Sequence, residues 1–328
     1  MFGRTYVRES QTAAFARFAA KRCALAVPVL IGVATVVFAT VALIPGDPVT
    51  SMLGPGATPE AVAELTGRLG LDRPLPLRWW EWLSATAQGD LGSSIAQRRP
   101  VGEIVMTAFG NTLVLAAAAG LLVLAGGVAL GTLTAVGRGR ASGRLSSALS
   151  IVAISAPQYS VALLLVVLLG VQAGLFPTGG MYDAIGGGGL GDRIHHLALP
   201  ALAAALVPMG VTARVYAAAL TDVLNADFVE SMRARGLSEA AVIRHAVRNA
   251  LPSLLTIGGL QIAYLLEGVV FVETIFAWPG IGQTLFQAIQ ARDLPVIEAG
   301  VLVTAVAFVG LTIAVDALHW LLDPRTRR

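Results

Sequence analysis

The chain has 328 residues, 55 % of them hydrophobic and only 13 % charged, with a mean hydropathy of +0.73. That balance is too apolar for an ordinary soluble domain and indicates a polytopic membrane protein. The net charge of +3 is carried by arginine, Lys21 being the only lysine, with no basic patch interleaved with aromatics to receive nucleic acid, and the single Cys23 excludes an intrachain disulfide or a thiolate metal site.

About 20 apolar residues cross a bilayer as a helix. Six runs qualify, near 23–44, 111–136, 147–173, 198–220, 252–276 and 296–322. They predict an all-α membrane domain over 23–328 behind a basic flank at 1–22, since only closed backbone hydrogen bonding survives in lipid. The first run is too long for a signal segment and lacks a small-residue cleavage site, so it reads as a retained span.

An outer loop is expected over 45–110. Pro45 to Pro48 stops the first span, and a short helix follows with Thr58 as its cap, Pro59 in its first position, a Val62, Leu65, Leu69 stripe and Gly70 as its stop. Trp79, Trp80 and Trp82 come next, either as an amphipathic segment at the outer interface or as a surface for an external receptor. Arginines crowd the first flank, the Arg138–Arg144 loop and the tail, whereas the loops holding Arg193 and Arg292 have one each. By the positive-inside rule both termini are cytoplasmic. Pro157 and Pro208 are expected to interrupt spans three and four, and the adjacent His195 and His196, with no carboxylate cluster foreseen beside them, read as an interfacial pair and not as metal ligands.

The segment 221–251 then faces the cytoplasm, and it is unusually polar. Asn225 can cap a short helix with Asp227 and Glu230 near its positive end and Arg233 and Arg235 near its negative end. Gly236 ends it, Leu237 follows, and Ser238 caps a second helix with Glu239 in its first turn and an apolar line of Ala240, Ile243, Val247 and Ala250. Arg244 and Arg248 stack beside that line. Lipid headgroups would account for the arginines alone; a helix corner presented to a partner's groove accounts for the acids, the glycine and both caps as well.

This stretch resembles the "EAA" coupling loop of ABC-importer permeases, whose glutamate precedes a glycine by six residues, as Glu230 precedes Gly236. In order along the chain, "ALIPGDP", "GLDRPLPLRWWEWL", "GDLGSSI", "FPTGG", "HLALPAL", "DFVESMRARGLSE", "RHAVRNALP", "VETIFAWPGIG", "RDLP" and "LDPR" resemble the first permease of the dipeptide, oligopeptide and nickel importer class. Ser231 and Met232 stand where the general signature has alanines, and Pro252 lies sixteen positions beyond Gly236, a spacing of the peptide class. The resemblance implies the type I importer permease fold, a second homologous permease, two cytoplasmic ABC ATPase subunits, an extracytoplasmic solute-binding protein, membrane lipid as solvent and no cofactor. Peptides are the implied cargo and nickel chelates the alternative. Asp227, Glu230, Arg233, Arg235, Gly236, Leu237, Ser238 and Glu239 would take the ATPase.

The chain itself lacks a P-loop: Lys21 is not in one, and "PGIGQT" at 279–284 has no lysine. The Asp316 and His319 pair suggests a local helix contact and not a protease base. In span five Gln261, Tyr264 and Glu267 recur at i, i+3, i+6 as a polar stripe, which either lines a path or fixes packing; Glu273 turns to another face. Glu298 is expected at the interface. A secondary transporter using Glu267, Glu273, Glu298 and Asp316 is the rival reading, though no internal repeat is found.

Overall fold

The computed structural model describes residues 11–43, 49, 53, 56–68, 70–183 and 186–322. The expected turn at Pro45–Pro48, the end of the Leu65–Leu69 stripe and the tail from Asp323 lie outside them, as do the side chains of Leu65, Glu267 and His319. Every regular element among the described residues is helical. In chain order these are α1 (Gln11–Leu43), α2 (Pro59–Arg68), α3 (Leu75–Ala87), α4 (Val101–Val136), α5 (Ala141–Ser155), α6 (Gln158–Leu165) running into a π-helical stretch (Val166–Gln172), α7 (Leu190–Leu224), α8 (Asp227–Ala234), α9 (Glu239–Ile275), α10 (Ile281–Ala291) and α11 (Leu294–Leu322).

With each bent pair counted as one span the number is six, as the apolar runs predict. Four are single helices, α1, α4, α7 and α11. The third breaks at Ala156–Pro157, where α5 and the following helix diverge by 108°. Pro157 cannot donate a backbone hydrogen bond, and its ring forces Ala156 into an extended conformation (ψ 131°), so no helix continues through it. Pro208, by contrast, is buried inside an unbroken α7, so the interruption expected of span four does not occur. Tertiary packing carries a proline through a membrane helix where neighbours close around it.

The chain divides into two compact units. In residues 1–102 with 288–328, α1 packs along α11: Phe15 and Phe18 meet the Trp320 ring, and Arg22 lies 2.7 Å from Asp316. Asp316 therefore pairs with a neighbouring helix. In the same unit Thr58 caps α2, receiving Ala61 N–H, and Trp82 of α3 packs on Phe38 of α1 at 5.8 Å. Asp293, fully buried, accepts hydrogen bonds from Ser94 Oγ and from the Ile95 and Ala96 amides at 3.1 Å, joining "RDLP" to "GDLGSSI". Glu298 is half-buried in this unit, on α11.

In residues 103–287 the centre is α7, half of whose apolar window is enclosed against 17 % for α1 and α11. Its small residues allow close approach: a Cβ on Gly131 of α4 would sit 2.8 Å from the Ala213 carbonyl and 2.8 Å from the Tyr216 ring. In lipid, where no hydrophobic force draws helices together, such small-residue seams supply the contact area that does. Helix α4 begins at Val101, ten residues before its apolar run, because Val101, Val105 and Ala108 are buried while Met106 and Glu103 take the other face.

Candidate functional site

The polar corner forms between α8 and α9. Its acids Asp227 and Glu230 occupy the first turn of α8 and Arg233 the last, matching the helix dipole. Asn225 does not cap α8: it closes the end of α7, and the cap position belongs to Ala226, with no side-chain hydrogen bond. Arg235 is the last residue of the turn, and Gly236 follows with φ +81°. The Gly236 amide donates to the Arg233 carbonyl at 2.9 Å and the Leu237 amide to the Met232 carbonyl at 3.2 Å. That pair of bonds is the Schellman motif, which ends a helix on a left-handed residue and satisfies its orphan carbonyls.

Ser238 then caps α9 as its sequence suggests, its Oγ accepting from Ala241 N. Across the corner Arg233 Nε reaches Glu239 Oε1 at 2.7 Å and Nη2 reaches Oε2 at 3.4 Å, a two-point clasp that the sequence spacing of six did not advertise. The hydrogen bond pushes the guanidinium pKa upward, so the clasp stays charged. Asp227, Glu230, Arg233, Arg235, Gly236, Leu237, Ser238 and Glu239 are all exposed, on one short run of surface. Val229, fully buried, anchors α8 beneath them.

The second helix of the corner is not a separate short one. It is the first third of α9, a 37-residue helix that continues through Pro252 into span five. Its buried line is Val242, Ala246 and Ala250; of the expected Ala240, Ile243, Val247 and Ala250, only Ala250 is fully buried, Ile243 and Val247 are half-buried and Ala240 is exposed, because the helix is held on the α7 side. Ala246, Ala250 and Leu254 share a core with Ala135, Tyr216 and Leu220 of α4 and α7. A cavity of about 210 Å³ lies behind the corner, lined by Val136, Arg138, Leu224, Arg233, Glu239 and Ile243 among others. Arg244 and Arg248 point to solvent beside it.

Farther along α9 the expected polar stripe divides. Gln261 is 7 % exposed and Tyr264 56 % exposed, so the two do not share one environment; of Glu267 only the helical backbone is described. There α9 bends by 48° between Leu265 and Gly268.

At its far end α9 closes on a buried polar knot that the sequence reading missed. Glu273 has no exposure; it accepts from Thr112 Oγ1 at 2.6 Å and from the Gly282 amide at 2.7 Å, while Ile281 N donates to Thr112 Oγ1 at 2.8 Å. Trp278 Nε1 donates to the Asn111 carbonyl and Asn111 Nδ2 to the Pro279 carbonyl. The amides that "PGIGQT" might have offered a phosphate are thus already used inside the chain. The loop "FPTGG" joins the same end, Gly180 N donating to the Phe276 carbonyl at 2.8 Å. A spacing of about 160 residues between Thr112 and Glu273 left no local signal for this.

His195 and His196 each have polar partners inside the chain. His195 Nε2 bonds the Leu175 carbonyl, and His196, almost fully buried, faces Asp183 and Asp192, the carboxylates the sequence reading did not foresee. Among the tryptophans, Trp80 is 61 % exposed while Trp79 and Trp82 are half-covered.

Residues 127–328 match the family described as "Binding-protein-dependent transport system inner membrane component", and residues 15–116 match its N-terminal counterpart. The chain is 38 % identical over 330 residues to the di/tripeptide transport system permease protein DppB of Pseudomonas aeruginosa (strain UCBPP-PA14), covering 94 % of this chain and 98 % of that one. It is 36 % identical over 308 residues to the glutathione transport system permease protein GsiC of Salmonella typhimurium (strain LT2), covering 94 % and 97 %. In fold it resembles an inward-facing structure of the MetNI methionine ABC transporter, with a TM-score of 0.55 at 18 % identity over 68 % of this chain and 98 % of that one. These matches agree with the order of motifs and with the helical spans, and the chain belongs to the family of binding-protein-dependent transport system inner membrane components, as a multi-pass ABC-importer permease.

Proposed function

We propose that this permease imports peptides, as one of two membrane subunits driven by two cytoplasmic ATPase chains and supplied by an extracytoplasmic binding protein, and that it performs no bond chemistry itself. The names of its relatives, di/tripeptide and glutathione permeases, support the cargo class. The observation that carries the mechanism is the exposed α8–α9 corner at the end of a helix that runs on through the bundle to the buried Glu273. A partner groove that grips Asp227 to Glu239 would hold the head of α9, and closure of the ATPase pair would tilt that helix. Both termini are then cytoplasmic, and the Trp79–Trp82 segment faces outward.

Gln261, Tyr264 and Glu267 belong to the part of α9 next to its bend, where a tilt would open or close a path. Co-purification of the ATPase chains with Gly236→Val and Glu230→Arg variants, followed by ATP hydrolysed per peptide imported in vesicles, tests the reading. Reduced docking, or hydrolysis without uptake, is expected in both. Wild-type docking and coupling in both would reduce the corner to a lipid-facing loop, and uptake driven by a proton gradient without ATP would overturn the importer itself.

A further inference from the structure

We propose that His196, Asp192 and Asp183 form a binding site for a divalent transition-metal ion, zinc being the one their donor set fits best, at the head of α7. His196 Nδ1 lies 3.1 Å from the Gly179 carbonyl oxygen. A carbonyl only accepts, so Nδ1 carries a ring proton, and the tautomer with its single proton there turns the Nε2 lone pair toward the two carboxylates. That nitrogen is 3.3 Å from Asp183 Oδ1 and 3.3 Å from Asp192 Oδ1, and the three ligand atoms all lie within 4.8 Å of one another. In that tautomer three electron-pair donors converge, and a cation bound at the centre relieves their mutual repulsion.

Both distances from Nε2 suit one. Donors about 2.0–2.1 Å from a tetrahedral zinc ion stand roughly 3.3 Å apart along the edges of the tetrahedron. The supporting contacts are those such a site uses. The bond from Nδ1 to Gly179 fixes the tautomer that turns Nε2 inward. Asp192 Oδ2 is occupied by the amides of Asp183, at 3.2 Å, and Gly188, at 3.0 Å, which leaves Oδ1 for the ion. Side-chain exposure is 4 % for His196, 16 % for Asp192 and 71 % for Asp183, so the site is closed beneath and open on the Asp183 side, where an ion enters and water supplies the fourth ligand.

Asp192 and His196 are one turn apart on α7 and share a face, and the stretch that brings Asp183 is itself tied to α7 through His195 and the Leu175 carbonyl. The ion staples that connection to the first turn of α7. This does not depend on the peptide-import reading.

The test uses the full-length chain in lipid nanodiscs, stripped with chelator and titrated with zinc alone against a fluorescent zinc indicator. Wild type, Asp183→Asn and His196→Gln are compared, with size-exclusion profiles to verify folding. Asp183→Asn changes a side chain that is largely in solvent and keeps the proposal testable if the buried variant misfolds. One equivalent is expected on wild type, with affinity at least about 10-fold weaker in Asp183→Asn and weaker still in His196→Gln, and an X-ray absorption edge with one imidazole in a shell of oxygen and nitrogen. Equal zinc affinity in all three chains would overturn the site, as would a wild type that binds none, in which case His196 holds the two carboxylates as an imidazolium.

Discussion

Gly236 and Glu273 act by different physics. At Gly236 the backbone is left-handed, at φ +81°, while a Cβ built there meets nothing within 4 Å. The obstacle to substitution is conformational and not steric crowding, on the order of 1 kcal/mol or more for a β-branched residue and less for asparagine. Gly236→Asn is therefore expected to retain ATPase docking that Gly236→Val weakens, read by co-purification yield. Glu273 is held by partners instead. Glu273→Leu strands the Gly282 amide and the Thr112 hydroxyl in the interior, each costing about 1–3 kcal/mol, and Glu273→Gln keeps an acceptor for one of them. A lower thermal unfolding midpoint in detergent is expected for Leu than for Gln, with co-purification of the ATPase chains unchanged in both.

At the scale of the element, α9 matters because one helix joins the exposed corner to the core shared with α4 and α7, ahead of its bend at Leu265–Gly268 and the Glu273 knot beyond it. A continuous hydrogen-bonded ladder transmits tilt, whereas glycine within it costs about 1 kcal/mol per residue and frees the chain locally. Inserting two glycines between Ala250 and Leu251 is expected to leave ATPase docking intact while raising the ATP hydrolysed per peptide imported. Unchanged stoichiometry would show that α9 is not the lever. Nearer the bend, Glu267→Gln is expected to change the transport rate per complex at unchanged assembly yield if Glu267 lines the path; a lower yield at an unchanged rate would make it packing glue.

For the whole molecule the decisive quantity is orientation. Arginines concentrate at the first flank, the Arg138–Arg144 loop and the tail, and short-loop arginine sets topology. In a Cys23→Ser background, Arg140→Cys is expected to react with an impermeant maleimide only after the membrane is opened, and Trp80→Cys in intact cells. Both positions are exposed, so access is decided by the side of the membrane and not by burial. Labelling of position 140 from outside would overturn the expected topology and, with it, the proposed cytoplasmic placement of the corner.

Much of this protein was legible along the chain because its largest signals are local. Six apolar runs, a Thr58 cap, a glycine at the 236 corner and a Ser238 cap each depend on neighbours a few residues away, and each is found where the sequence puts it. Prolines were harder: Pro157 breaks its span and Pro208 does not, since the outcome depends on what surrounds the freed carbonyl and not on proline alone. The 11-residue α10 lay below the length at which an apolar run announces itself. Only the tertiary structure decided which charges meet. Asp316 with Arg22, Asp293 with the 94–96 loop, Glu273 with Thr112 and His196 with Asp183 and Asp192 are brought together by packing, those of the buried Asp293 and Glu273 gaining further from the exclusion of water, and for most of them sequence separation carries no information about distance.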